Sequence, residues 1–231
     1  MTASPRHESI RIRVTETSLN SARREAATAP QRSLRQVQRL IERETRTLPR
    51  ADRLALACRA GCDFCCHLRV MATPIEVFAL LDYLARSLSE QDLASLTERI
   101  RETDRRLRAI EPEQILTTNI PCPVLVDGTC SAYPGRPLNC RSYHSLSRAA
   151  CEASFENPTD LSLGHPQLTG LAKIHEGAQA GLFAAFDQAG RDRRQYELVT
   201  AMAEALEDPG CRERFERGEP AFRRPLTIPG A

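Results

Sequence analysis

The chain has 231 residues, long enough for one sizeable domain or two small ones, each able to bury a core. Its 32 Lys and Arg residues face 30 Asp and Glu, a formal net charge of +2, so no strong field draws it to nucleic acid or an anionic membrane. Nine cysteines without a tryptophan, no stretch near the roughly 20 apolar residues of a membrane span, and a first thirty residues broken by Glu8, Glu16 and Glu25 argue against a membrane or exported disulfide protein. The expectation is a cytoplasmic protein, where thiols stay reduced and clustered cysteines bind metal more often than they pair.

Taken in order, residues 1–30 are rich in Ser, Thr, Ala and Arg, carry Pro5 and Pro30, and show no sustained apolar period, which predicts a flexible arm. Leu34, Val37, Ile41 and Leu48 then fall at helical spacing over 31–48, and Pro49 stops the run. Beyond a cysteine-rich stretch, Thr73, Pro74 and Glu76 form a helix start: a capping threonine, a proline suited to the first position, and a glutamate that reaches back. That helix runs to about Leu88, and Ser89 opens another whose Leu93, Leu96, Ile100, Leu107 and Ile110 alternate with charges on a solvated face. Residues 111–119 read as a linker. Asp127-Gly128 between short apolar and Thr-Cys segments signals a tight hairpin. A short helix over 145–155 and two longer ones, about 166–189 and 192–208, follow, with Gly190 between them and Pro209-Gly210 after. The fold class expected is mainly α, a small α+β: helices around an irregular cysteine-rich core with one short β-hairpin. The organisation expected is a flexible arm at 1–30, one helical domain at 31–215 with its core at 58–151, and an irregular tail at 216–231.

The chemistry is concentrated in sulfur. Cys58, Cys62, Cys65 and Cys66 lie within nine residues, and Cys122, Cys130, Cys140 and Cys151 follow in a second segment. Cysteine is also a small buried hydrophobe, and offsets of four, seven and eight would fit one helix face. Gly61 and Asp63 are poor helix formers, however, and leucine and alanine are abundant alternatives for a plain apolar stripe. A metal role accounts better for the spacing, because Cys62 to Cys65 can wrap two sulfurs onto one ion while intervening amides spread the thiolate charge. Side chains of adjacent residues diverge, so Cys65 and Cys66 are expected to serve different ions, or one of them to be a spare or redox thiol. In an ideal hairpin Cys130 faces Leu125 and Cys122 points the other way; Pro121 and Pro123 are suited to break that regularity. Arg136 and Arg141 flank Cys140 and favour its ionised form. His67 and His144 lie inside the two segments as substitutes for a sulfur, against the commoner packing role of a lone histidine. Cys211, isolated, reads as a packing residue.

Thiolates are soft donors, which excludes calcium and magnesium and points to zinc, iron or an iron–sulfur cluster. Eight candidates exceed the four of one closed zinc site, which suggests two centres or one cluster with spare thiols. The pattern ACRAGCDFCC, then Thr-Pro-Ile-Glu opening a helix, then PCPVLVDGTCSAYPGRPLNCRSY resembles the YkgJ-type cysteine-cluster family, described as zinc- or iron-chelating. The resemblance spans about 58–151 and implies chelation by Cys58, Cys62, Cys65, Cys66, Cys122, Cys130 and Cys140; Cys151 is added from the sequence itself. A related cluster in flagellin lysine methylases brings in an iron–sulfur cofactor. Phosphate loops, HExxH and GxSxG motifs are absent, so no enzyme class is named. The leading expectation is a metal-binding protein doing redox, catalytic or metal-handling work. The alternative is a structural zinc module for protein or RNA contacts, with nucleic acid disfavoured by the balanced charge.

Overall fold

The computed structural model describes residues 5–228, and its elements follow largely from local signals. Helix α1 spans Pro5–Ala22, α2 Pro30–Thr47 and the short α3 Arg50–Leu54. Strand β1 is Met71–Ala72, and α4 covers Pro74–Ser87 behind Thr73, whose amide and hydroxyl both donate to Glu76 Oε2 at 2.8 and 2.6 Å. Ser89 caps α5, Glu90–Arg108, by accepting from the Asp92 amide. Strands β2, Leu125–Val126, and β3, Thr129–Cys130, pair across Asp127 and Gly128, both at positive φ, with Leu125 opposite Cys130. Then come α6, Leu138–Ser142, α7, Arg148–Glu156, and α8, Thr169–Gln188. Strand β4, Tyr196–Glu197, pairs antiparallel with β1 and leads into α9, Leu198–Glu207, and α10, Gly210–Glu216.

The architecture is the expected mainly helical one, with helices around an irregular cysteine-rich middle and two-residue strand pairs only. One core runs through it, from Val14 and Leu34 to Phe78, Ile100, Leu182 and Met202. Among the described residues, no helix is long and apolar enough to cross a membrane.

Two expectations are corrected. Residues 5–22 of the supposed flexible arm form α1, with Val14, Ser18 and Ala22 buried against α8; residues 1–4, and 229–231 of the tail, lie outside the described residues. The contact rests on small residues: a Cβ at Gly177 would stand 2.5 Å from the Arg11 carbonyl oxygen, and one at Gly181 2.5 Å from Ser18 Cβ. Backbones meet where those carbons are missing, Ser18 Oγ donates to the Ala178 carbonyl at 2.7 Å, and no leucine stripe is needed. Second, the helix expected from 192 begins only at Leu198, because 196–197 are taken by the strand pair. Pro209-Gly210 does follow the end of the pair, at Glu207, and Gly210–Glu216 form a further helix, α10, that the sequence reading did not include.

Candidate metal centre

The two cysteine segments are knitted together by backbone. The Ile120 amide donates to the His67 carbonyl and the Cys122 amide to the Cys66 carbonyl, at 3.2 and 2.8 Å, while Ala57 donates to Ser145 at 2.8 Å. Buried Arg69 reinforces the seam by donating to the carbonyls of His67 and Ile120 at 2.8 and 2.6 Å. The Leu125 amide turns back to the Cys122 carbonyl, so the chain around Pro121 and Pro123 leaves the strand geometry that would have separated Cys122 from Cys130.

The result is a cavity of about 320 Å³ bordered by Cys65, Cys66, Cys122, Cys130 and Cys140. Its remaining wall is largely apolar, from residues such as Leu80, Val124, Leu198 and Val199. Cys58, Cys62 and Cys151 do not border this cavity. Cys151 and Cys65 line a smaller adjoining one, and Cys58, Cys62, Cys65 and Cys151 lie within one another's electrostatic reach. Cys65 is thus common to an inner and an outer set of thiols.

Cys65 and Cys66 differ from expectation, since the tight turn Phe64–His67 brings the adjacent thiols into hydrogen-bond contact rather than pointing them apart. That hydrogen bond, and burial, push the Cys65 thiol far above the ordinary thiol range. Burial pushes Cys122 up to about 12 and raises Cys140 further. Backbone amides work in the opposite direction: Phe64 donates to Cys62, Val124 to Cys122, Ala132 to Cys130 and Ser145 to Cys58, the last at 3.3 Å. Each favours a thiolate once something positive offsets the burial.

The two histidines are occupied elsewhere. His67 Nδ1 lies 3.1 Å from the Asp63 carbonyl and its ring packs edge-on against Phe155. His144 Nδ1 contacts the Ser142 carbonyl at 2.7 Å, while its Nε2 accepts from the Leu168 amide at 3.1 Å. Cys211 is 1% exposed and far along the chain. With Glu204 and Asp208 it forms the one trio of ligand-type atoms within 4.8 Å of each other among the described residues. That trio already has a cation, because Arg214 donates to Asp208 at 2.8 Å and to Cys211 at 3.2 Å.

Sequence reasoning missed Glu76 as more than a cap. Its Oε1 accepts from the Leu138 amide at 2.6 Å, so the buried carboxylate that starts α4 also anchors the N-terminus of α6, the helix carrying Cys140. The capping pattern was visible; the second use of the carboxylate, 62 residues away, left no local mark.

The donor set fits a soft metal. Thiols dominate, amides face several sulfurs, and no carboxylate cage of the kind calcium or magnesium needs borders the cavity. A tetrahedral zinc with sulfurs at about 2.3 Å sets them roughly 3.8 Å apart. No three of these thiols lie within 4.8 Å of one another among the described residues.

A helical framework thus gathers free thiols from two segments around one cavity. Residues 57–160 match the family model CxxCxxCC, described as "Putative zinc- or iron-chelating domain", so this stretch is similar to that cysteine-cluster domain, in keeping with the YkgJ-type resemblance. No curated protein and no solved structure matches the chain.

Proposed function

We propose that this is a zinc- or iron-binding protein whose centre does redox, catalytic or metal-handling work. Its ligands are drawn from Cys65, Cys66, Cys122, Cys130 and Cys140 around the cavity and Cys58, Cys62 and Cys151 beside it. The observation that carries this reading is the cavity itself: closed structural sites use four thiols and leave no space, whereas here five thiols border about 320 Å³ with apolar walls. Five thiols at one cavity exceed the four of a closed zinc site, which supports a polynuclear occupant, an iron–sulfur cluster included, over a single ion.

A second reading, structural zinc supporting protein contacts, is favoured for the outer set, because Cys58, Cys62, Cys65 and Cys151 number four. Anaerobic isolation followed by metal and acid-labile sulfide analysis and an absorption spectrum tests both. The leading reading expects stoichiometric iron with sulfide and a broad visible band, or more zinc than one ion per chain. One colourless zinc per chain, whose removal only unfolds the protein, would decide for the structural role.

A further inference from the structure

Two arginines border the thiol cavity, Arg69 and Arg136, and a third, Arg141, follows Cys140 in the chain; their surroundings differ. Arg69 is buried and has Glu197 as its carboxylate, at 3.9 Å. Arg141 feels the Cys140 charge but is engaged by other groups: it faces Glu42 at 3.8 Å and donates to the carbonyls of Arg136 and Pro134. Arg136 forms no ion pair among the described residues, and its Nε is buried without a hydrogen-bond partner. Its guanidinium carbon sits over the Tyr133 ring, 3.7 Å from the centroid, and Arg136 borders the cavity together with the five thiols. Its charge acts on Cys58, Cys65, Cys130 and Cys140, which come from both segments and from both the inner and outer sets.

A partly buried cation without a counter-ion is costly unless something negative arrives. A divalent ion bound by four thiolates carries a net charge of about −2. Arginine keeps its charge at any working pH.

Resting on the metal reading above, we propose that Arg136 is the counter-charge of the metal–thiolate assembly, a positioning residue that binds no metal but stabilises the negative charge the thiolates leave on it. Sequence treats Arg136 and Arg141 as equivalent flanks of Cys140, and the structure assigns the role to the first alone.

The test is competition for Zn²⁺ between a chromophoric chelator and the full chain, as wild type and as Arg136→Lys, Arg136→Gln and Arg136→Met. Arg217→Gln, which removes a surface guanidinium paired with Glu219, controls for net charge. Expected are losses of about tenfold or more in Zn²⁺ affinity for the two neutral variants, less than about threefold for Arg136→Lys, and none for the control. Circular dichroism of the metal-free proteins is expected to be unchanged throughout. Wild-type affinity in both neutral variants would overturn the role, as would an Arg136→Lys loss equal to that of Arg136→Gln. Loss of the metal-free fold in both neutral variants would assign Arg136 to structure instead. A wild-type chain that takes up no transition metal would overturn the metal reading first, and this role with it.

Discussion

The α1–α8 contact and the thiol cavity are held together by opposite means. The first is a backbone-to-backbone approach made by missing side chains at Gly177 and Gly181, and it needs nothing from outside the chain. The second gathers groups that do not satisfy one another, among them buried thiols raised in pKa and an arginine without a carboxylate. A framework complete in itself thus carries a centre whose polar groups call for a ligand, and the two regions should respond differently to the same perturbation.

The largest separation is expected from metal removal. Thiolate zinc sites contribute roughly 10–16 kcal/mol of apparent binding free energy near neutral pH, more than any single contact in the fold. A chelator should therefore deprotect residues 57–160 in hydrogen exchange while α1 and α8 stay protected; uniform deprotection would merge the regions into one unit. Next is Cys140→Ser, at the inner wall, which should weaken metal uptake on the order of 100-fold, against a much smaller loss for the exposed Cys58→Ser. Equal losses would remove the distinction between inner and outer thiols.

Gly181→Leu drives a side chain into Ser18 and the Thr15 carbonyl, and should cost about 3 kcal/mol in urea unfolding with metal stoichiometry unchanged. Glu76→Gln connects the regions, because it disturbs the cap of α4 and the anchor of α6 together. About 1–3 kcal/mol of stability should go, along with part of the metal affinity.

The smallest effect is one of pH. Burial raises the Glu197 carboxyl from 4.5 to about 6, although its hydrogen bond from the Thr200 amide favours the charged form. Between those values the folded chain binds the proton that the unfolded chain has lost, so this group's contribution falls as pH rises. The wild type should lose about 2 kcal/mol across that window relative to Glu197→Gln. A flat difference between the two would mean that the carboxyl is already ionised below pH 4.5.

What sequence could reveal differs between the same two regions. The cysteine core announces itself because thiols are rare and their spacing carries chemistry, and the Asp127-Gly128 turn and Thr73 cap are local signals that match the structure. The α1–α8 contact is invisible for the converse reason: glycine, alanine and serine at an interface look like the low-apolar composition of an unstructured arm. The hydrogen bond between Cys65 and Cys66 depends on a turn that no pairwise spacing rule contains. Strand β4 is two residues whose partner lies 126 positions away, at Met71. The separate environments of Arg136 and Arg141 depend on Tyr133 and on Glu42 from α2, and only tertiary structure supplies those neighbours.

Sulfur from two distant segments sharing one metal is the point on which the rest depends, and X-ray absorption at the metal edge of natively isolated protein tests it most directly. The wild type should show a first shell dominated by sulfur, and Cys140→Ser and Cys65→Ser, one from each segment, should each lower the sulfur count. A shell of nitrogen and oxygen, or a sulfur count that falls in only one of the two variants, would contradict it.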